Sequence, residues 1–108
     1  MKILFVCSAN IQRSRTAEDM FSYMYPQHIF NSAGTNLKIC KTNGTTPLTE
    51  ELLIWADKIF VMEDKHRDRI RNHTENKYGK KIFVLNIKDI YSYNDPELKR
   101  ILIDKVKI

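Results

Sequence analysis

Lys2-Ile3-Leu4-Phe5-Val6-Cys7-Ser8-Ala9-Asn10-Ile11-Gln12-Arg13-Ser14 stands at the start of the chain. Lys2–Val6 is an apolar, β-prone run. Beyond the polar stretch, Arg15–Met24 carries Ala17, Met20, Phe21 and Met24 at helical spacing. A buried strand feeding a helix through a tight loop is the building unit of parallel α/β sheets. Backbone N–H groups in such a loop can converge on an anion at the positive end of the helix dipole, whether thiolate or phosphoryl oxygen. Cys7 supplies a nucleophile there. Arg13, six residues on, closes the loop with a planar fork that takes two phosphoryl oxygens at once, which Lys cannot do. Ser14 offers a hydroxyl to the sulfur, and Asn10 a side chain that ties the loop internally. A lone cysteine after a buried strand is ordinarily a small apolar filler; the Arg-Ser pair at this offset sets Cys7 apart.

Outward from this segment, strand and helix patterns alternate. Pro26 blocks continuation of the first helix, and His28–Ala33 reads as a second strand closed by Gly34. Thr46-Pro47 is expected to open a helix containing Leu48, Leu52, Leu53 and Trp55, with Thr46 as its cap and Pro47 in its first turn. Lys58–Met62 reads as strand three and Asp64–Asn72 as a charged helix anchored by Ile70. Tyr78-Gly79 turns into strand four, Lys81–Ile87. Asp95-Pro96 caps a last helix with Leu98, Ile101, Leu102 and Val106 on its buried stripe. The expected fold class is α/β: one domain over residues 1–108, three-layered, a four-stranded parallel sheet with helices on both faces and a phosphate-binding loop after strand 1. Ligands in such sheets sit beyond the carboxyl ends of the strands. That places interest on Cys7–Arg13, Ser32–Thr35 and Lys88–Asn94.

Bulk properties narrow the function. A chain of 108 residues has room for one core. Its longest apolar run falls well short of the roughly 18 residues a membrane span needs. The first strand is too short for a signal peptide and is followed at once by Gln12, Arg13 and Arg15, so a cytoplasmic location with reduced thiols is expected. Cys7 and Cys40 are too few for a disulfide scaffold or a zinc site, and His28, His66 and His73 lack metal-ligand spacing; no metal or cofactor is expected. A net charge of +5 favours an anionic partner. The run His66–His73 reads as a solvated helix face, and Glu63, Asp64 and Asp68 weaken its field against nucleic acid. Trp55 reads as core.

Four segments resemble the low-molecular-weight protein tyrosine phosphatases, in order along most of the chain. These are Val6–Ser14, Asn31-Ser32-Ala33-Gly34-Thr35, Ala56–Glu63 and Val84-Leu85-Asn86-Ile87-Lys88-Asp89-Ile90-Tyr91. The resemblance implies that Cys7 attacks phosphorus to form a cysteinyl-phosphate. Arg13 and the loop residues Ser8, Ala9, Asn10, Ile11, Gln12 and Ser14 bind the phosphoryl group, and Ser32 helps shape the loop. Asp89 serves as general acid and then base, and Tyr91 flanks the pocket mouth. The implied partner is a phosphotyrosine protein or small aryl phosphate, with no membrane role. Asp95 also lies near, but a residue before Pro96 at a helix start reads as a cap.

The chain departs from the family in four ways, the first being Ile90 where a proline often follows the acid. Arg15 stands where proline is frequent, and Gln12 replaces a second loop cysteine. The connection from Gly34 to Thr46 is short, which implies a shallower cleft. Cys40 could act as a redox partner, although arsenate reductases on this scaffold use more than one extra cysteine. Two other functions compete. The opening Lys2–Ala9 also resembles cysteine phosphocarriers, the IIB components of sugar phosphotransferase systems, which lack the closing arginine. A phosphate-binding module without turnover is the third reading.

Overall fold

The computed structural model describes all residues 1–108. Six residues of β1 (Lys2–Cys7) form the centre of a parallel sheet, with Ile3 to Val6 wholly buried. Parallel strands covered on both faces need such continuous apolar runs. The other elements in chain order are α1 (Arg13–Met24), β2 (Ile29–Gly34), α2 (Leu37–Asn43), α3 (Glu50–Trp55), β3 (Lys58–Val61), α4 (Asp64–Thr74), β4 (Ile82–Val84) and α5 (Pro96–Lys105). Sheet order is β2-β1-β3-β4, all parallel. The chain therefore leaves β1 in one direction and later returns to its other side, and the loop after β1 opens at that reversal.

Side chains alternate across β1 and split the core in two. Ile3, Phe5 and Cys7 pack with Ala17 and Phe21 of α1 and Leu98 and Leu102 of α5 on one face. Leu4 and Val6 pack with Leu53 of α3 and Ile70 of α4 on the other. The three-layer α/β architecture expected from the sequence is what forms. Phe5 stacks on Phe21, Phe30 and Phe60, with ring centroids 5.6–6.1 Å apart. These contacts clamp β1 between its neighbours directly beneath the loop it carries.

Several boundaries differ from the sequence reading. Helix α1 begins at Arg13 rather than Arg15, so the arginine belongs to the first turn. No helix starts at Thr46-Pro47. Thr46 instead donates its N–H to Asn10 Oδ1 (3.1 Å), Pro47 bridges to Gly34, and Thr49 caps α3 through Leu52 N–H. Residues 37–43 form α2, a helix with only Cys40 buried and thus without a legible apolar stripe. Strand β4 covers three residues instead of seven; Leu85 and Ile87 still bury their side chains, and their N–H groups donate to Val61 and Met62 carbonyls. Trp55 is half-buried against the second core face rather than enclosed. No helix is long and apolar enough to cross a membrane.

Candidate active site

A cavity of about 160 Å³ lies above the carboxyl end of β1, lined by Cys7, Ser8, Ala9, Ile11, Gln12, Arg13 and Asp89. Its wall is the loop between β1 and α1. The carbonyls of this loop point away and are tied down. Cys7 O accepts from Thr35 N (2.9 Å), Ser8 O from Asn36 N (3.0 Å), and Ala9 O from Thr45 Oγ1 (2.7 Å). The N–H groups of Ser8, Ala9, Asn10, Ile11 and Gln12 donate to nothing in the chain. Backbone donors left unpaired in a loop of this kind form an anion-binding concavity.

Asn10 makes the turn feasible. It adopts a left-handed conformation (φ 55°), tolerated better by Asn than by most residues. Its side chain is wholly buried. The Nδ2 group donates to Ser14 Oγ and Ser32 Oγ, both at 2.8 Å, while Oδ1 accepts from Thr46. Each hydroxyl is thereby engaged as an acceptor, which frees its own proton. Ser32 donates to Glu18 Oε1 (2.5 Å), and Ser14 can donate to Cys7 Sγ at 3.0 Å. The Ser14 hydroxyl is thereby held beside the sulfur with its proton free for it. The fold also limits what can lie under the loop. A Cβ on Gly34 would come within 2.5 Å of Ser8 O and 2.6 Å of Cys40 Sγ.

Arg13 lines the cavity and is otherwise almost fully buried (1% exposed). Nη1 donates to Glu63 Oε2 (2.5 Å) and Ile87 O (2.8 Å), and Nε lies 3.6 Å from Asp89 Oδ1. Nη2 has no partner in the chain and is not closed off from solvent. Burial disfavours the Glu63 carboxylate. The hydrogen bond and charge of Arg13, helped by Lys65 and His66, outweigh that and hold its pKa below the ordinary value.

His66 is the largest departure from the sequence reading of a solvated helix face. It is buried (1% exposed) against the loop. Nδ1 accepts from the Glu63 N–H (3.0 Å), so the ring proton sits on Nε2 and is donated to Ser8 Oγ (2.9 Å). Burial first, and then the charge of Arg13, push its pKa down to about 4. The imidazole is therefore neutral over the physiological range. Ser8, accepting from His66, keeps its own proton for a group in the cavity.

Asp89 lines the cavity and is half-exposed at its mouth, whereas Asp95 caps α5 by accepting from Glu97 N (2.8 Å). Two contacts from α1 hold the loop that carries Asp89: Asn94 N donates to Thr16 Oγ1 (2.9 Å), and Tyr93 bonds Asp19. Tyr91 packs, partly buried, against the first core face and is not among the residues lining the cavity. Cys40 is fully buried under the loop, its sulfur 3.6 Å from Ala9 O. Sequence reasoning missed Glu63, His66, Glu18 and Thr16. Only the capping spacing of Glu63 and His66 at the start of α4 hinted at any of them.

The family model for low molecular weight phosphotyrosine protein phosphatase matches residues 2–46. No curated protein matches the chain. Among solved structures, the tyrosine phosphatase Wzb from Escherichia coli K30 in complex with phosphate is similar at 23% identity. It covers 96% of this chain and 91% of its own, with a TM-score of 0.77. A low molecular weight protein tyrosine phosphatase from Bacillus subtilis is similar at 24% identity, covering 94% and 92%, with a TM-score of 0.72. The YwlE arginine phosphatase from Geobacillus stearothermophilus is similar at 24% identity, covering 96% and 88%, with a TM-score of 0.72. At these identities the likeness establishes the fold. Residues 2–46, which carry the whole phosphate loop, match the low molecular weight phosphotyrosine protein phosphatase family, and the chain as a whole has the fold of its solved members.

Proposed function

We propose that the protein is a metal-independent phosphomonoester hydrolase, protein tyrosine phosphatase-like, that works through a cysteinyl-phosphate on Cys7. One observation carries this: five consecutive N–H groups, Ser8 to Gln12, are unpaired in the loop that brings the Cys7 sulfur and the buried Arg13 guanidinium to one cavity. Fixed dipoles and a cation aimed at one point stabilise the charge of a phosphoryl transition state without reorganising.

In the first step Cys7 Sγ attacks phosphorus and the bond to the leaving oxygen breaks; protonated Asp89 gives that oxygen its proton. Arg13 and the loop amides hold the equatorial oxygens, and Ser14 steadies the sulfur. In the second step Asp89 takes a proton from water as the water oxygen attacks phosphorus. The S–P bond breaks and inorganic phosphate leaves. Acid–base assistance of this kind contributes about 10²–10⁴-fold.

The substrate class we propose is a phosphorylated protein, phosphotyrosine first, or a small aryl phosphate. The arginine phosphatase neighbours add phosphoarginine protein as a substrate to be assayed. A cysteine phosphocarrier is the weaker reading, because the closing Arg13 has no task in simple storage of phosphate. A cytoplasmic setting suits the two free thiols.

Incubation with an aryl phosphate and a chelator, following phosphate release, tests the reading. Multiple turnovers lost in Cys7→Ser and Arg13→Ala are expected. A stable phosphocysteine formed only with a donor protein, and no turnover, would sink it.

A further inference from the structure

Beside the catalytic cavity, and sharing Ser8 with it, runs a second cleft of about 490 Å³ with no hydrophobic lining residue. One wall is the face of α4 that presents Lys65, Arg69, Asn72 and His73 at helical spacing; the other is Thr35 and Asn36 after β2. Its charges are unevenly used. Arg69 has no ion pair or side-chain hydrogen bond, and Lys65 reaches Glu63 only at 3.8 Å. The one acid in the lining, Asp68, is already bonded by Arg67 at 3.2 Å. The cleft therefore carries unneutralised positive charge next to the phosphate loop. It then continues into a hollow of about 240 Å³ that shares Thr35, Arg69 and His73 and adds Leu37, Leu48, Leu53 and Ile70, with Thr49, Thr74 and Glu50 at its polar side; the Glu50 carboxylate is already held by Lys77 (3.0 Å) and Tyr78 (2.7 Å).

We propose that this groove binds the polypeptide flanking the phosphorylated residue, its basic stretch taking an acidic side chain and its apolar end a nonpolar one. The inference rests on the hydrolase reading for the identity of the phosphorylated group. The chemistry of the groove is its own support: a cation without a partner attracts a carboxylate, and an apolar floor farther on takes a side chain out of water. A single small aryl phosphate would fill the catalytic cavity and leave both hollows empty. A chain rising about 3.3 Å per residue from Ser8 can occupy them in turn. Such a groove makes the enzyme selective through residues that never touch phosphorus.

The test uses phosphotyrosine peptides of one length with glutamate, alanine or lysine flanks, binding to the Cys7→Ser protein. Aryl phosphate turnover by the protein with Cys7 intact is measured in parallel. The glutamate peptide is expected to bind about tenfold more tightly than the lysine peptide. Arg69→Glu should erase that difference, Arg69→Lys should keep it, and neither should alter aryl phosphate turnover. Equal affinity for the three peptides would overturn the proposal. So would a loss in Arg69→Glu that is the same for every peptide, or displacement of all peptides by a single-stranded oligonucleotide at similar affinity. Absence of aryl phosphate turnover would instead strike the hydrolase reading, while the peptide series still reports on the groove.

Discussion

His66 Nε2 lies 2.9 Å from Ser8 Oγ, joining helix α4 to the loop between β1 and α1 across 58 positions of sequence. Its neutral form is what the fold accommodates, with a pKa lowered from 6.5 to about 4 by burial and the nearby Arg13 charge. As pH falls below about 6.5 the unfolded chain takes up this proton before the folded one does. Stability from His66 is therefore complete above that pH and drains as pH drops toward 4, by about 2 kcal/mol once solvent screening is allowed for. Urea unfolding at pH 7, 5.5 and 4 should show this loss, and His66→Gln should flatten it. Glu63, whose pKa is also lowered, adds a further loss as pH falls below its ordinary 4.5. An unchanged pH slope in His66→Gln would contradict the burial of His66 in its neutral form.

Glu63 anchors Arg13 from outside the loop. Removing it as Glu63→Ala leaves the buried guanidinium with only the more distant Asp89, 3.6 Å from Nε, as counter-charge, at a cost of about 2 kcal/mol for a partly exposed partner. Glu63→Gln keeps a hydrogen-bond acceptor and should lose less. We expect kcat/KM with an aryl phosphate to fall at least about tenfold in Glu63→Ala as the fork loses its orientation. Thermal denaturation alongside kinetics separates the two effects.

Asn10 combines a left-handed backbone with three hydrogen bonds. Asn10→Gly keeps the conformation and loses the bonds, whereas Asn10→Ala loses both. Asn10→Gly should cost about 2–3 kcal/mol, and Asn10→Ala about 1 kcal/mol more from the strained φ. Equal destabilisation of the two variants would show that backbone strain plays no part.

Asp89→Asn and Asp95→Asn should diverge. The first removes the cavity carboxylate and should slow hydrolysis of aryl phosphates with poor leaving groups by about 10²-fold or more, sparing good ones. The second exchanges one good helix cap for another and should change neither rate nor melting temperature appreciably. A leaving-group dependence that responds to Asp95 instead would reverse the assignment.

The loop was readable because everything that shapes it is local or nearly so. Cys7, Asn10, Arg13 and Ser14 fall within eight residues of one strand-to-helix turn, and the chain's own geometry brings them together. The apolar run of β1, the stripe of α5 and the Asp95-Pro96 start were equally legible from spacing. The start of α3 misled because Thr46-Pro47 has the composition of a helix start, yet Thr46 is drawn to Asn10 and Pro47 to Gly34. Helix α2 gave no signal, since its Leu37 and Ile39 face solvent.

By itself the sequence determined a nucleophile and a closing arginine at fixed spacing in a strand-to-helix loop, and the α/β alternation around it. Only the tertiary structure decided which groups neutralise Arg13, which side chain holds Ser8, and which contacts from α1 hold the loop that carries Asp89. Short chain connectivity dictates the first set. The second depends on β3 pairing beside β1 in one register, which carries the ends of β3, α4 and the loop after β4 to the cavity, and no spacing along the chain encodes that juxtaposition.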